Sequence, residues 1–205
     1  MRITVEDLRL EGPTRGPLAR GLNLSFGTEQ ALLVTGASGS GKTRFLKALA
    51  GTAHPLSGRV VREPHLRVGL ALSRGGLLMN STLLQNLTLP LRFQGMKLQE
   101  AVDRAEESMA QLGLGPVGEL RPHALSDRQR KLGALARVLA FDPDLVLLDE
   151  PLDELDPRDL VKVRAVLEAW ASDPAKALVV ATERAEEHGD LGALRLDLDE
   201  GEEAP

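Results

Sequence analysis

The 205-residue chain has no cysteine, which excludes disulfides and thiolate metal sites. It has no tyrosine, one tryptophan and four phenylalanines, too few aromatics for a platform that stacks single-stranded bases. Basic residues do not outnumber acidic ones. The formal net charge of −5 provides no positive field to recruit nucleic acid. No run approaches the roughly 20 apolar residues that span a bilayer. Residues Met1 to Asp7 lack the apolar core of a signal peptide. These absences point to a cytosolic chain, or to one held on the inner face of a membrane through a partner. What remains is ordinary. With 42% apolar residues, the chain can bury a real core as one domain, or as one core with a small subdomain.

Against that plain background one stretch stands out, Gly36-Ala37-Ser38-Gly39-Ser40-Gly41-Lys42-Thr43. It has the form G-x-x-x-x-G-K-[ST], the P-loop that holds nucleotide phosphates. An apolar run of strand length, Gln30 to Thr35, precedes it. Arg44 to Ala50 follows as a helix closed by Gly51. Glycines let bare backbone N–H groups approach phosphate oxygens, and the helix opening at Gly41 adds its free N–H groups and positive end. Lys42 would reach the β- and γ-phosphates of the nucleotide, and Thr43 would offer its hydroxyl to Mg²⁺.

Elsewhere the pattern alternates strand and helix. Ile3, Val5, Leu8 and Leu10 suggest an edge strand, and Leu22 to Phe26 a half-buried one. Glu11 to Pro17 reads as a loop. His54 to Gly58 reads as a turn, followed by strands over Arg59 to Val61 and Leu66 to Leu72. Between about 81 and 140 the period becomes helical. Leu98, Val102, Ala105, Met109 and Leu112 form one stripe, read as core packing. Ser126 with Gln129 has the form of a capping box. Leu145 to Leu148 is a buried strand ending in Asp149-Glu150. A helix runs from Pro157 to Trp170, and strands follow at Ala177 to Ala181 and Leu194 to Leu198. Residues 199–205 read as a solvated acidic tail. The expected fold is α/β: a P-loop NTPase core, residues 1–201, with a β subdomain, an inserted α-helical subdomain over about 81–140, and a tail at 202–205.

A P-loop binds nucleotide, but hydrolysis also needs a metal ligand and a group to polarise water. Asp149 would hold Mg²⁺ through water and Glu150 would act on the attacking water. The four histidines have no metal-ligand spacing and read as surface or loop residues. Arg128, Arg130 and Lys131 form a basic cluster on one helix, a solvated or phosphate-facing surface. Trp170 reads as core.

With these pieces in order, the chain resembles the ATP-binding-cassette (ABC) ATPases from about Met1 to Gly201. Leu125-Ser126-Asp127-Arg128-Gln129 stands where that family has its L-S-G-G-Q signature. Leu147 to Pro151 resembles the Walker B strand with its catalytic glutamate, and Leu155-Asp156-Pro157 the D-loop. The resemblance implies an ATPase with two cassettes packed head to tail, as a homodimer or with a second kind of cassette. ATP would lie between the P-loop residues 36–43 of one cassette and Ser126, Arg128 and Asp156 of the other. It also implies a separate transmembrane subunit at the membrane's inner face. Gly75 to Leu78 and Ser81 to Leu91 look like the partner-facing region, and their wording is most similar to ATPases of lipid- and lipoprotein-trafficking transporters, including those linked to MCE proteins. Chromosome-associated cassettes need a long coiled-coil insertion and tandem translation-factor cassettes a second P-loop; the chain has neither.

Four departures from the family pattern cluster at the ATP site. Ser73 replaces the Q-loop glutamine, Asp127 and Arg128 replace the signature glycines, and Glu183 replaces the switch histidine. The adenine-stacking aromatic has no counterpart near Gly12-Pro13, which leaves the base to Leu18 or another apolar side chain. Asp127 and Glu183 would repel a γ-phosphate, whereas Arg128 could partly replace lost donors. The expectation is an ATPase that is slow or partner-dependent. The alternative is a nucleotide-binding structural or regulatory subunit.

Overall fold

The structure is a computed structural model describing residues 1–10, 21–73, 76–189, 191 and 194–199, and the backbone of 202–204. In chain order the strands are β1 (Arg2–Arg9), β2 (Leu22–Gly27), β3 (Leu32–Thr35), β4 (Ser57–Val61), β5 (Val68–Ala71), β6 (Leu145–Asp149), β7 (Ala177–Ala181), β8 (Leu194–Asp197) and β9 (Glu202–Ala204). The helices are α1 (Lys42–Ala50), α2 (Leu83–Phe93), α3 (Leu98–Gln111), α4 (Asp127–Phe141) and α5 (Pro157–Ala171).

The continuous apolar runs form the centre of a six-stranded sheet ordered β5-β6-β7-β3-β8-β9, parallel except for β9. Successive side chains of a strand point to opposite faces, so a strand buried on both sides must be apolar throughout. In β6, Leu145 and Leu147 join one core with Phe45, Leu46 and Leu49 of α1. The same core receives Ile3, Val5, Leu24 and Phe26 from the second, three-stranded sheet. Val146 and Leu148 face the other core, with Leu132 and Leu135 of α4 and Val163, Leu167 and Trp170 of α5. That core continues through α2 and α3 by way of Leu83, Leu87, Leu91, Ala105 and Met109. Truncating a fully buried leucine such as Leu147 is expected to cost about 2–5 kcal/mol.

Local signals end the helices where expected. Gly51 caps α1 in the left-handed conformation. Ser126 accepts from the Gln129 N–H while the Gln129 side chain accepts from the Ser126 N–H, a complete capping box. Asp156 caps α5 by accepting from the N–H groups of Arg158 and Asp159.

Four expectations are corrected. β1 is the middle strand of the small sheet, hydrogen-bonded to β2 and β4, and not an edge. Leu98 at the start of α3 is 62% exposed, and Ala101 takes its place in the buried stripe with Ala105 and Met109. His188, read as a surface residue, is buried in a short 3-10 turn, and burial pushes its imidazole below the ordinary value. Residues 202–204 are not a free tail. Their backbone pairs antiparallel with β8, because an unpaired edge offers a row of donors and acceptors that a following segment can take up. The loop at 11–20, including Gly12, Pro13 and Leu18, lies outside the described residues, as does Gly75.

Candidate nucleotide site

The parallel strands bring their carboxyl ends to one edge, where the loops after β3, β5, β6, β7 and β8 meet. This is the crest at which open α/β sheets bind ligands. A cleft of about 630 Å³ opens there, lined by Ser38, Gly39, Lys42, Thr43, Ser73, Asp149, Glu150 and Glu183 among others. Residues from four parts of the chain, as far apart as 38 and 183, are thus brought together.

The P-loop has the geometry its spelling implies. Gly39 has φ +87° with no atom within 4 Å of where a Cβ would stand, so its backbone faces open space. Gly41 at φ 99° and ψ 9° turns the chain into α1, and no side chain caps that helix. Among the described residues no side chain takes the N–H groups of Lys42 and Thr43, which open α1 toward an anion. Lys42, only 6% exposed, donates to the carbonyls of Gly36 at 2.7 Å and Ala37 at 3.1 Å. Its Nζ also lies 3.6 Å from Glu150 Oε1 and 3.5 Å from Glu183 Oε1. Thr43 Oγ1 donates to Asp149 Oδ2 at 2.8 Å.

Glu150 is held tightly. Its φ of 49° is left-handed, its N–H donates to Ala181 O at 2.8 Å, and its Oε2 accepts from the Glu183 N–H at 3.2 Å. Its Oε1 is buried without a hydrogen-bond partner among the described residues. Burial pushes the carboxyl above its ordinary value, and the Glu183 N–H, the Thr182 hydroxyl and Lys42 offset this only in part. A raised carboxyl is a better proton acceptor near neutral pH than an ordinary one.

The signature residues lie apart from this cleft. Asp127, Arg128, Arg130 and Lys131 line a second one of about 450 Å³ with Ser73 and Glu154, and Ser73 borders both. Ser126 and Asp156 act within this chain as helix caps. Arg128 is engaged by the buried carboxylate of Asp159 and lies 3.6 Å from Asp156. Lys162 holds the other oxygen of Asp159 at 3.1 Å. Asp127, 87% exposed, pairs with Arg130, which also donates to the carbonyls of Pro122 and Leu125. The basic cluster lines this open cleft, with Arg128 41% exposed, and each of its cations also has a partner within the chain.

The sequence reading missed two contacts. Asp199, assigned to the tail, accepts the Ala37 N–H at 2.6 Å through Oδ2. Lys131 donates to the carbonyls of Glu150 at 3.2 Å and Asp153 at 2.5 Å. Neither pairing has a local signal, because each joins residues brought together only by the fold.

Comparison with known proteins agrees with this geometry. The ABC transporter family model matches residues 19–153. The lipoprotein-releasing system ATP-binding protein LolD of Chromohalobacter salexigens is 33% identical, over 84% of this chain and 79% of that protein. The Fe(3+) ions import ATP-binding protein FbpC of Brucella suis is 39% identical over 69% of this chain, which spans 43% of that protein. In fold, the chain is similar to the dimeric post-hydrolysis structure of the ATP-binding cassette MJ0796 bound to ADP and Pi. The TM-score is 0.88 at 24% identity, covering 99% of this chain and 97% of that one. With the P-loop, Asp149 and Glu150 gathered at one cleft and the family match extending over most of the chain, the protein belongs to the ABC transporter family, as one of its ATP-binding ATPase subunits.

Proposed function

We propose that Lys42, Thr43, Asp149 and Glu150 divide the work of ATP hydrolysis in this chain. One observation carries the reading: all four meet in a single cleft at the ends of β3 and β6, with the Glu150 carboxyl raised by burial. Glu150 takes a proton from the attacking water as its oxygen bonds to the γ-phosphorus and the bond to the bridging oxygen of ADP breaks. Lys42 leaves the Gly36 and Ala37 carbonyls to balance charge on the β- and γ-phosphate oxygens, and the N–H groups of residues 39–43 cradle them. Thr43 and Asp149 offer two hard oxygen donors 2.8 Å apart, a set that suits Mg²⁺. When bound, the ion supplies charge neutralisation at the phosphates.

Turnover is slow in this reading. Glu183 competes with the γ-phosphate for Lys42. The chain pairs with a second cassette, and its helical block, about 81–140, meets a transmembrane subunit at the inner face of a membrane. Support for that docking comes from Leu78, Met79, Leu89 and Phe93, large apolar side chains left exposed on and before α2. No described helix is long and apolar enough to cross a membrane. The likeness to LolD favours a lipid or lipoprotein cargo.

The test is steady-state ATP turnover of the purified chain beside Glu150→Gln and Lys42→Ala. Turnover in the parent that is lost in both variants is the expected result. Equal background in all three would overturn self-sufficient hydrolysis and leave a nucleotide-binding structural or regulatory subunit.

A further inference from the structure

We propose that Lys131 is a positioning residue for Glu150, acting through the backbone of the turn that carries it. The turn from Glu150 to Glu154 is unusual at both ends, with φ of 49° at Glu150 and 57° at Glu154. Non-glycine residues hold such values only where surrounding contacts over-determine them. Lys131 supplies the contacts on one side. Its single ammonium donates to Glu150 O and to Asp153 O, and so bridges the turn from its first residue to its fourth. The Asp153 N–H donates to the same Glu150 carbonyl at 3.3 Å.

The base from which Lys131 reaches is firm. α4 is closed at its start by the capping box, and Leu132, Ala134 and Leu135, just beyond Lys131, are buried. One turn earlier on the same helix, Arg128 grips Asp159 and lies within ion-pair distance of Asp156. Segment 150–159 is therefore fastened to α4 near both its ends. Glu150 has its N–H held by Ala181 O and its carbonyl by Lys131, so the direction of its side chain is defined by two anchors on different elements. That direction brings the carboxylate to the Glu183 N–H and toward Lys42. None of the described P-loop contacts involves Lys131. Its loss therefore disturbs the base and spares the phosphate cradle.

The inference rests on Glu150 being the base proposed above, and the experiment separates the two. Steady-state kinetics are measured for the parent, Lys131→Met, Glu150→Gln and the double variant, with amide hydrogen exchange on the parent and Lys131→Met. Lys131→Met is expected to lower kcat about tenfold or more while KM for ATP and ADP affinity stay within about twofold. Adding Lys131→Met to Glu150→Gln is expected to cost nothing further, because both act at one group. Exchange of the amides of residues 150 and 152–154 is expected to rise in Lys131→Met, with residues 36–43 unchanged. Three outcomes overturn the proposal. A raised KM at unchanged kcat makes Lys131 a phosphate ligand. A further loss in the double variant makes its action independent of Glu150. Unaltered exchange at 150 and 152–154 removes the positioning role even where the parent itself shows no Glu150-dependent turnover.

Discussion

The two clefts that share Ser73 are opposites in construction. In the P-loop cleft, polar groups converge on open space: the N–H groups of Lys42 and Thr43, the Lys42 ammonium, the Thr43 hydroxyl and the three carboxylates of Asp149, Glu150 and Glu183. In the signature cleft the charges are used up within the chain. Arg128 is spent on Asp159, Arg130 on Asp127 and two carbonyls, and Lys131 on the Glu150 turn. The first region is built to exchange its internal contacts for those of a ligand. The second is neutralised by its own neighbours, and the departures at Asp127 and Arg128 contribute to that neutralisation.

The largest effect should come from emptying the first cleft. Lys42→Ala and Glu150→Gln are each expected to cut turnover about 10²-fold or more, read by phosphate release. Next comes the second cleft, where the comparison predicts an effect on stability and none on the chain's own nucleotide site. Arg128→Met leaves the Asp159 carboxylate, 4% exposed, with Lys162 as its remaining cation. A cost of about 1–3 kcal/mol is expected, seen as a melting point several degrees lower, with ATP affinity at the P-loop unchanged. A selective loss of ATP affinity would show that the two clefts are not separate. Smaller again is Glu183→Gln, which removes a carboxylate 3.5 Å from Lys42 that is half exposed and so partly screened. ATP affinity is expected to rise a few-fold, read by calorimetry.

The smallest effect is one of pH. The Glu150 carboxyl is raised in the folded chain, so the native state holds its proton to higher pH than the unfolded chain does. Its contribution favours the fold below the unfolded value and is lost as pH rises through the folded one. Glu150→Gln should therefore flatten the dependence of melting temperature on pH above the ordinary glutamate range, and raise the melting temperature slightly at neutral pH. A steeper profile in the variant would reverse the sign argued here.

Features with a local cause were legible in the sequence. The strand, loop and helix around Lys42, the capping box at Ser126, the proline start of α5 and the burial of β6 each follow from residues within a few positions of one another. What escaped depends on partners far along the chain. β1 could be placed at the centre of its sheet only with β4 in view, where Glu6 lies opposite Arg59. Arg128 could be assigned only with Asp159, and Lys131 only with Glu150 and Asp153. Composition marked these side chains as charged, and the fold decides what they are charged for.

The peptide joining Gly36 to Ala37 is gripped on both sides, its carbonyl by Lys42 and its N–H by Asp199 at the far end of the chain. In the hydrolysis proposed above, phosphate draws Lys42 away while Asp199 keeps its hold. The loop then need not be reshaped at the moment of binding, and the entropy of ordering it is met during folding. A residue six places from the C-terminus thus acts as the fixed jaw of a vice whose moving jaw is the P-loop lysine. Shortening the chain before Asp199 should loosen nucleotide binding without touching a single residue of the P-loop.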